Sequence, residues 1–412
     1  MSERTTCVII GGGPAGMVLA LLLARAGVEV TVLEKHGDFL RDFRGDTVHP
    51  STLQLLDELG LAGRFAKLPY STLDEVVLPV GGDRSVVVAD FRRLRVRYPY
   101  VAMVPQWDLL NLLVEAARDE PSFTLRMRTE VTDVIRESGR VRGVRFRTED
   151  GTAGEIRAVL TVACDGRWSI AHQQADLPLK EFPVAIDAWW FRLPRLPEDG
   201  PPALTPRAGK GRFAIVIPRN DFLQIAYIGR KGTDQQLRAR GIEHFRQDIA
   251  ALMPELRDRV DALVSMDDVK HLDVRLNRLD RWHIDGLLCI GDAAHAMSPV
   301  GGVGINLAVQ DAVAAATLLA EPLRRGAVSP TDLGAVRARR ILTTVVVQAL
   351  QRLLHRGVVM PIIDGVRMGP PAPLLALIHR VPQLSFVPAY LIGVGLRPEH
   401  APEFARRSAE EP

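Results

Sequence analysis

The stretch Cys7-Val8-Ile9-Ile10-Gly11-Gly12-Gly13-Pro14-Ala15-Gly16 decides the fold, because an apolar strand runs directly into a GxGxxG turn at the mouth of a helix. The helical run Ala15–Ala26 follows, Gly27 terminates it, and Val28–Leu33 supplies a second apolar strand that ends on Glu34. Strand, glycine turn, helix and strand in that order make a βαβ unit built for a dinucleotide. Each glycine has its own task. Gly11 permits the tight turn, Gly13 lets backbone approach a pyrophosphate, and Gly16 lets helix and strand pack closely. Pro14 and Ala15 open the helix, whose N-terminal amides and dipole favour phosphate. Glu34, with Lys35 beside it, lies where an adenosine ribose is held, and a carboxylate there disfavours a 2′-phosphate. FAD or NAD is therefore expected in this pocket rather than NADP.

Working outward, the 412 residues are too many for one ordinary core and fit two interleaved domains. With 47% hydrophobic and 25% charged residues, composition excludes disorder, coiled coil and collagen-like structure. The 52 basic and 49 acidic residues leave a net charge of +3 spread along the chain, which excludes an acidic-tail protein and gives no nucleic-acid footprint. The alternating run Arg92-Arg93-Leu94-Arg95-Val96-Arg97 reads as one solvated strand face. Cys7, Cys164 and Cys289 each sit in an apolar run, so they are expected in the core of a reduced protein, with no disulfide framework and no metal spacing. The first residues lack a signal-peptide pattern, and no apolar stretch reaches the roughly 20 residues of a bilayer span. A cytoplasmic protein without stable membrane insertion is expected, its oligomeric state open.

The expected fold class is α/β, α+β overall: a Rossmann-like FAD-binding domain, an interleaved β-sheet substrate domain and C-terminal helices. Residues 1–70, 103–180 and 280–330 are assigned to the first, 71–102 and 181–279 to the second, and 331–412 to the last. Helices are expected over Ser51–Leu61, Gln106–Arg118, Ile242–Met253 and Ile305–Leu319. Strands are expected over Leu73–Val88, Tyr98–Val104, Ala188–Leu193, Phe213–Ile217, Phe222–Gly229 and Gly286–Ile290. Phe123–Val162 reads as a meander packed on the nucleotide fold, turning at Ser138-Gly139 and Asp150-Gly151, and Pro194–Gly211 as a loop. Beyond about residue 330 the chain is mostly helical, broken at Pro361, Pro370–Pro373, Pro382 and Pro388.

A second motif separates a flavoprotein from an NAD dehydrogenase. Gly291-Asp292-Ala293-Ala294-His295 follows a buried strand, and Pro299-Val300-Gly301-Gly302-Val303-Gly304-Ile305-Asn306 opens a helix. Such a carboxylate can hold a ribityl hydroxyl, and the helix N-terminus favours the negative charge of a reduced flavin ring.

Three separated signatures, GGGPAG with Glu34, CDGRWS and GDAAHAMSPVGGVGIN, make the chain resemble the p-hydroxybenzoate hydroxylase family (group A) of flavoprotein monooxygenases over roughly residues 5–320. The resemblance implies a tightly bound FAD, NADH or NADPH as transient co-substrate, and hydroxylation of an aromatic or polyketide-like small molecule through a flavin C4a-hydroperoxide. By the same resemblance Asp292 binds the ribityl chain, and Pro299 with Gly301, Gly302, Gly304, Ile305 and Asn306 lines the flavin where oxygen adds. Arg44 lies near the pyrophosphate, Gln106 beside the flavin's linker, and Asp165-Gly166 serves both FAD and nicotinamide. The family continues DGRxSxxR, whereas this chain carries His172 where the second arginine belongs, and a surface replacement is the expectation there. An imidazole lacks the arginine's permanent fork of donors.

Two other readings stay open: an FAD-dependent reductase or dehydrogenase without oxygen transfer, and a non-redox cyclase or binding protein holding FAD structurally. His295 is expected to be a structural hydrogen-bonder, and His49 and His283 have no evident partner. Trp189, Trp190 and Phe191 face either a substrate or the core; strand alternation sends Trp189 and Trp190 to opposite faces, so at most one side meets a substrate. Arg230 reads as a surface arginine, and the apolar stretch Val345–Val359 as part of a packed bundle. No substrate base is assigned.

Overall fold

The computed structural model describes residues 3–40, 47–81, 84–199, 204–209, 211–219, 221–366 and 371–408. Its central sheet is nucleated by β1 (Glu3–Ile10), whose last four residues are fully buried, and the chain then turns into α1 (Pro14–Arg25). That helix is leucine- and alanine-rich on every side because Ala15–Ala24 are all buried, and it ends on Arg25, which pairs with Glu120 at 3.3 Å. β2 (Val30–Leu33) returns parallel to β1, with Cys7 opposite Val30 and Ile10 opposite Leu33. Helix α2 (Gln106–Arg118) and β3 (Phe123–Arg126) extend the sheet beyond β2.

The stretch expected as a meander packed on the nucleotide fold is built into the same sheet. β4 (Thr129–Glu137) and β5 (Arg140–Thr148) form a hairpin, and β6 (Ala153–Ala163) is 11 residues long. Its first part pairs antiparallel with β5, while Ile156–Ala163 lies parallel along the whole of β1. One strand thus belongs to both the hairpin and the nucleotide sheet, a sharing that alternation within either half does not reveal. Both predicted turns hold: Ser138 (φ 49°) and Gly139 (φ 81°) close the first, and Gly151 (φ 87°) the second.

A second sheet is formed by the stretch expected to be on the substrate side. β7 (Ile186–Pro194), β8 (Thr205–Gly209), β9 (Arg212–Pro218), β10 (Phe222–Arg230) and β11 (Lys270–Leu272) stand in the spatial order β8-β9-β10-β7-β11. One face, with Trp189, Phe191, Ala214, Val216 and Tyr227, packs on helix Gly241–Leu252. The other face looks back toward the first domain. β12 (Leu287–Cys289) then rejoins the nucleotide sheet beside β6, giving the spatial order β12-β6-β1-β2-β3. Helices α3 (Gly304–Arg324) and α4 (Pro330–Leu354) complete the layer, α3 lying against α1.

Three local expectations are corrected. Pro194–Gly211 is not one loop, since β8 forms within it and pairs with β9. Arg92–Arg97 is not a strand: Phe91–Arg93 makes a 3₁₀ turn capped by the Asp90 carboxylate, which accepts from the Arg92 amide at 3.2 Å and pairs with Arg92 and Arg93. Pro388 does not break a helix but sits in the first turn of Phe386–Gly393, where its missing N–H has no intrahelical partner to lose. Among the described residues no helix is long and apolar enough to cross a membrane, and no cluster of His, Cys, Asp and Glu has metal-binding geometry.

Candidate active site

A single cavity of about 1010 Å³ runs from the glycine turn of β1 and α1 to the inner face of the second sheet. Its nucleotide end is made largely of backbone. Gly11 has φ +97°, and a Cβ there would stand 2.7 Å from the Cys164 carbonyl oxygen, so the close crossing of β1 and β6 requires glycine. A Cβ on Gly16 would fall 2.1 Å from the Gly11 carbonyl oxygen, which is the helix–strand contact the motif anticipates. At Gly13, the N-cap of α1, a Cβ would meet nothing within 4 Å, and no side chain caps the helix. Open space in front of uncapped amides is what a pyrophosphate requires, so the residues present fit FAD.

Glu34 is buried and braces the turn: its two carboxylate oxygens accept from the amides of Gly12 (2.9 Å) and His36 (3.0 Å). Pro14, Ala15, Lys35, Gln106 and Gly166 also line this end. Asp165 lines it too, and burial raises its pKa while the Ile170 amide donates to Oδ2 at 3.0 Å. Arg44 lies outside the described residues.

The GD segment and the turn after it form the middle of the wall. Asp292 faces the cavity and meets Arg167 at 3.4 Å; Arg167 in turn donates to the Asp273 carbonyl at 3.1 Å. Pro299, Gly301, Gly302, Gly304 and Ile305 line the wall, and the consecutive left-handed Gly301 (φ +87°) and Gly302 (φ +65°) turn the chain into α3, whose N-terminus has no side-chain cap. Gly16, Gly291 and Asn306 stand behind the wall. The Asn306 Oδ1 is occupied by the hydroxyls of Ser51 (2.8 Å) and Thr52 (3.0 Å), so its side chain ties α3 to helix Pro50–Glu58.

Beneath the turn lies a buried network that sequence reasoning found only in part. His295 Nε2 meets Asp311 Oδ2 at 2.5 Å, which agrees with a structural role for this histidine. Asp311 also accepts from the Gly291 amide (3.2 Å) and from Arg340 Nε (3.0 Å), and Arg340 reaches Glu399 at 3.4 Å. Burial pushes the Asp311 carboxyl up, yet His295 and Arg340 outweigh it and hold the group below the usual carboxylate value. One acidic residue in the alanine-rich run of α3 was the signal available for Asp311.

His172 contradicts the surface-replacement expectation. It is buried at 7% exposure in the short helix Ile170–Gln174, and its amide donates to Ser169 Oγ at 3.2 Å. Burial lowers its pKa against the opposing pull of the Ala293 backbone and Asp165, so the ring is a neutral interior group. His49 is likewise buried; desolvation pushes it down to about 4 although Nε2 lies 3.0 Å from the Gly302 carbonyl oxygen. His283 Nδ1 is buried without a partner among the described residues.

The far end of the cavity is apolar. Phe213, Ile215 and Ile217 alternate along β9, with Ala226 and Ile228 on β10 and Ala188 and Trp190 on β7, facing Leu73, Phe91 and Met103 across the space. Trp190 faces the cavity while Trp189 is buried behind it with Nε1 on Asp234 at 2.7 Å, as alternation requires. Arg219 and Gln224 bring polarity to this end. The Arg219 guanidinium is buried and donates through Nε and Nη2 to Gln224 Oε1, both at 3.0 Å. Neither was singled out from sequence, because an arginine after a strand-ending proline has no periodic signature. Arg230 is exposed and pairs with Asp364 at 2.6 Å.

Comparisons with known proteins agree with this geometry. A family model described as an FAD binding domain matches residues 4–348. The 6-methylpretetramide 4-monooxygenase of Streptomyces rimosus is 38% identical over 344 residues, covering 82% of this chain and 80% of its own length. The dialkyldecalin synthase of Streptomyces rugosporus is 26% identical, covering 75% of this chain and 63% of its own. Among solved structures, OxyS anhydrotetracycline hydroxylase from Streptomyces rimosus superposes with a TM-score of 0.75 at 24% identity, over 97% of this chain and 78% of that one. The cofactor is FAD, reduced by NAD(P)H, and the chain belongs to the FAD-binding-domain family of p-hydroxybenzoate hydroxylase-like flavoprotein monooxygenases.

Proposed function

We propose that this enzyme hydroxylates a flat, fused-ring aromatic polyketide, drawing one oxygen atom from O₂ and two electrons from NADH or NADPH, in the cytoplasm. The observation that carries the reading is the continuity of one cavity from a backbone-built nucleotide end, past the Pro299–Gly302 turn, to an apolar sheet face. Identity of 38% to a monooxygenase acting on 6-methylpretetramide supports the substrate class.

In this account Gly11, Gly13, Pro14, Ala15 and Gly16, with Arg44, hold the pyrophosphate, Glu34 and Lys35 the adenosine end, and Gln106 the linker, while Asp165 and Gly166 serve both FAD and the nicotinamide. Asp292 holds the ribityl chain, while Gly291 and Asn306 shape the backbone around it. Pro299 and Gly301, with Gly302, Gly304 and Ile305, lie against the isoalloxazine, the N-terminus of α3 favouring its reduced, anionic form. When bound, the flavin supplies electron transfer from the nicotinamide and activation of O₂. The overall reaction consumes substrate, O₂, NAD(P)H and a proton, and yields hydroxylated substrate, water and NAD(P)⁺. Phe213, Ile215, Ile217 and Trp190 exclude water and orient the rings, and Arg219 selects a substrate carrying an acceptor oxygen at its far end. FAD binding is assigned to residues 1–70, 103–180 and 280–330 and the substrate to 71–102 and 181–279; the two large sheets fall one in each group, while the strands within 71–102 pair outside both.

Anaerobic stopped-flow reduction by NADH and by NADPH, with and without fused-ring phenols, tests this. Reduction accelerated by a phenol, and product gaining one hydroxyl when air is admitted, is the expected result. Bound FAD that resists both nicotinamides under every condition would sink it.

A further inference from the structure

The turn placed against the flavin is gripped by residues beyond the stretch the family model covers, which ends at residue 348. Gln351, buried near the end of α4, donates through Nε2 to the carbonyl oxygens of Ser298 (2.8 Å) and Val300 (2.9 Å) and accepts from the Ser298 amide through Oε1 (3.2 Å). One turn later His355 Nε2 lies 2.8 Å from Ser298 Oγ, and that same oxygen accepts from the Val300 amide at 3.2 Å. Burial lowers the pKa of His355, and its ring shares a hydrogen bond with the Ser298 hydroxyl through Nε2. Pro299 is therefore flanked on both sides by residues hydrogen-bonded to α4 and its extension.

The helix changes character at this spot. His355–Val359 is a π turn, a widened turn that inserts a residue and re-aims those after it, and Leu354, Val358 and Val359 line the cavity. Gripping the turn and walling the cavity thus fall to the same nine residues, 351–359.

We propose that Gln351 and His355 are positioning residues for the flavin-face turn: they fix the Ser298–Val300 backbone, and hence Pro299, at the place where the flavin ring is held. The proposal rests on the assignment of that turn to the flavin, made above. Both groups act through the turn and neither touches the reacting atoms.

The test compares Gln351→Leu, His355→Leu and the conservative His355→Gln, which keeps an acceptor, with Leu353→Ala, an exposed position on the same helix. Hydrogen exchange of the peptide spanning 297–303 is measured in the apoprotein, and the visible spectrum and hydrogen peroxide released per NAD(P)H in the FAD-loaded protein. Gln351→Leu and His355→Leu are expected to speed exchange about tenfold or more, alter the flavin spectrum and raise peroxide release several-fold, since small misplacements at a reacting centre have large effects. His355→Gln should recover most of each signal, and Leu353→Ala should match the parent. Unchanged exchange in both leucine variants would overturn the grip itself. Faster exchange with an unaltered flavin spectrum and unaltered peroxide release would overturn the flavin-face assignment, and the positioning role with it. Should a leucine variant not fold, His355→Gln decides alone: exchange, spectrum and coupling closer to the parent than those of Ser298→Ala support the role, and values equal to it refute it.

Discussion

The two ends of the cavity are built on different principles. At the nucleotide end the working groups are amides, glycine conformations and a few carboxylates, set by short contiguous motifs: 11–16, 165–166, 291–292 and 299–306. At the substrate end they are side chains from alternate positions of neighbouring strands, with Trp190 beside Ala226 and Ile217 beside Gln224 only through cross-strand register. The first end must fit a cofactor that does not vary, so its chemistry is local. The second must fit one substrate, so its chemistry is assembled in three dimensions.

The largest test of this contrast is Gly16→Ala. With a Cβ 2.1 Å from the Gly11 carbonyl oxygen, α1 cannot keep its seat. Purified protein is expected to retain little or no FAD and to lose about 3 kcal/mol or more of stability, read by flavin absorbance and urea unfolding. A yellow, stable Gly16→Ala protein would break the claim that backbone contact builds this end.

Next in size is Asp311→Asn, which leaves the Arg340 guanidinium buried with one carboxylate fewer. A loss of about 3 kcal/mol is expected. Because the Asp311 pKa lies below its unfolded value, its contribution is present above about pH 4 and fades as pH falls further, so the variant should differ from the parent most near neutrality. Equal stability at pH 7 would show that the network beneath the turn does not hold it.

His49 gives a smaller effect in a different window. Its pKa, pushed down to about 4 by desolvation, lies below the unfolded value of about 6.5, so the unfolded chain binds the proton first as pH falls. Stability is intact above about pH 6.5 and falls by about 2 kcal/mol between pH 7 and pH 5 from this group alone. His49→Gln should flatten that part of the curve in urea titrations at the two pH values. An identical slope in the variant would contradict a buried neutral His49.

Much of the nucleotide end was legible before any coordinates, because GxGxxG and GDAAH act through the residues that spell them. What escaped depended on long-range contact. Nothing in the spacing of Ser298, Gln351 and His355 announces that they meet, and β6 hides its double allegiance inside one apolar run. His172 escaped differently: its replacement of an arginine was visible, but burial against Asp165 and Ala293 was not. Alternation allowed at most one side of Trp189-Trp190 to face a cavity, and in the sheet that side is Trp190's.

Trp190 supplies the smallest prediction. Its indole N–H is buried without a partner among the described residues, on the cavity wall. Trp190→Phe keeps the ring and deletes the donor, so KM should rise up to about tenfold while FAD content and substrate-free flavin reduction stay unchanged. A change in FAD content instead would blur the separation between the two ends.

The central claim, that one continuous cavity brings activated oxygen to a flat aromatic substrate, is tested most directly by turnover of a fused-ring phenol under ¹⁸O₂ with NAD(P)H and mass analysis of the product. One ¹⁸O atom per product molecule, matched to one NAD(P)H consumed, is the predicted result. Product formed without labelled oxygen, or formed with NAD(P)H and O₂ both withheld, would contradict it.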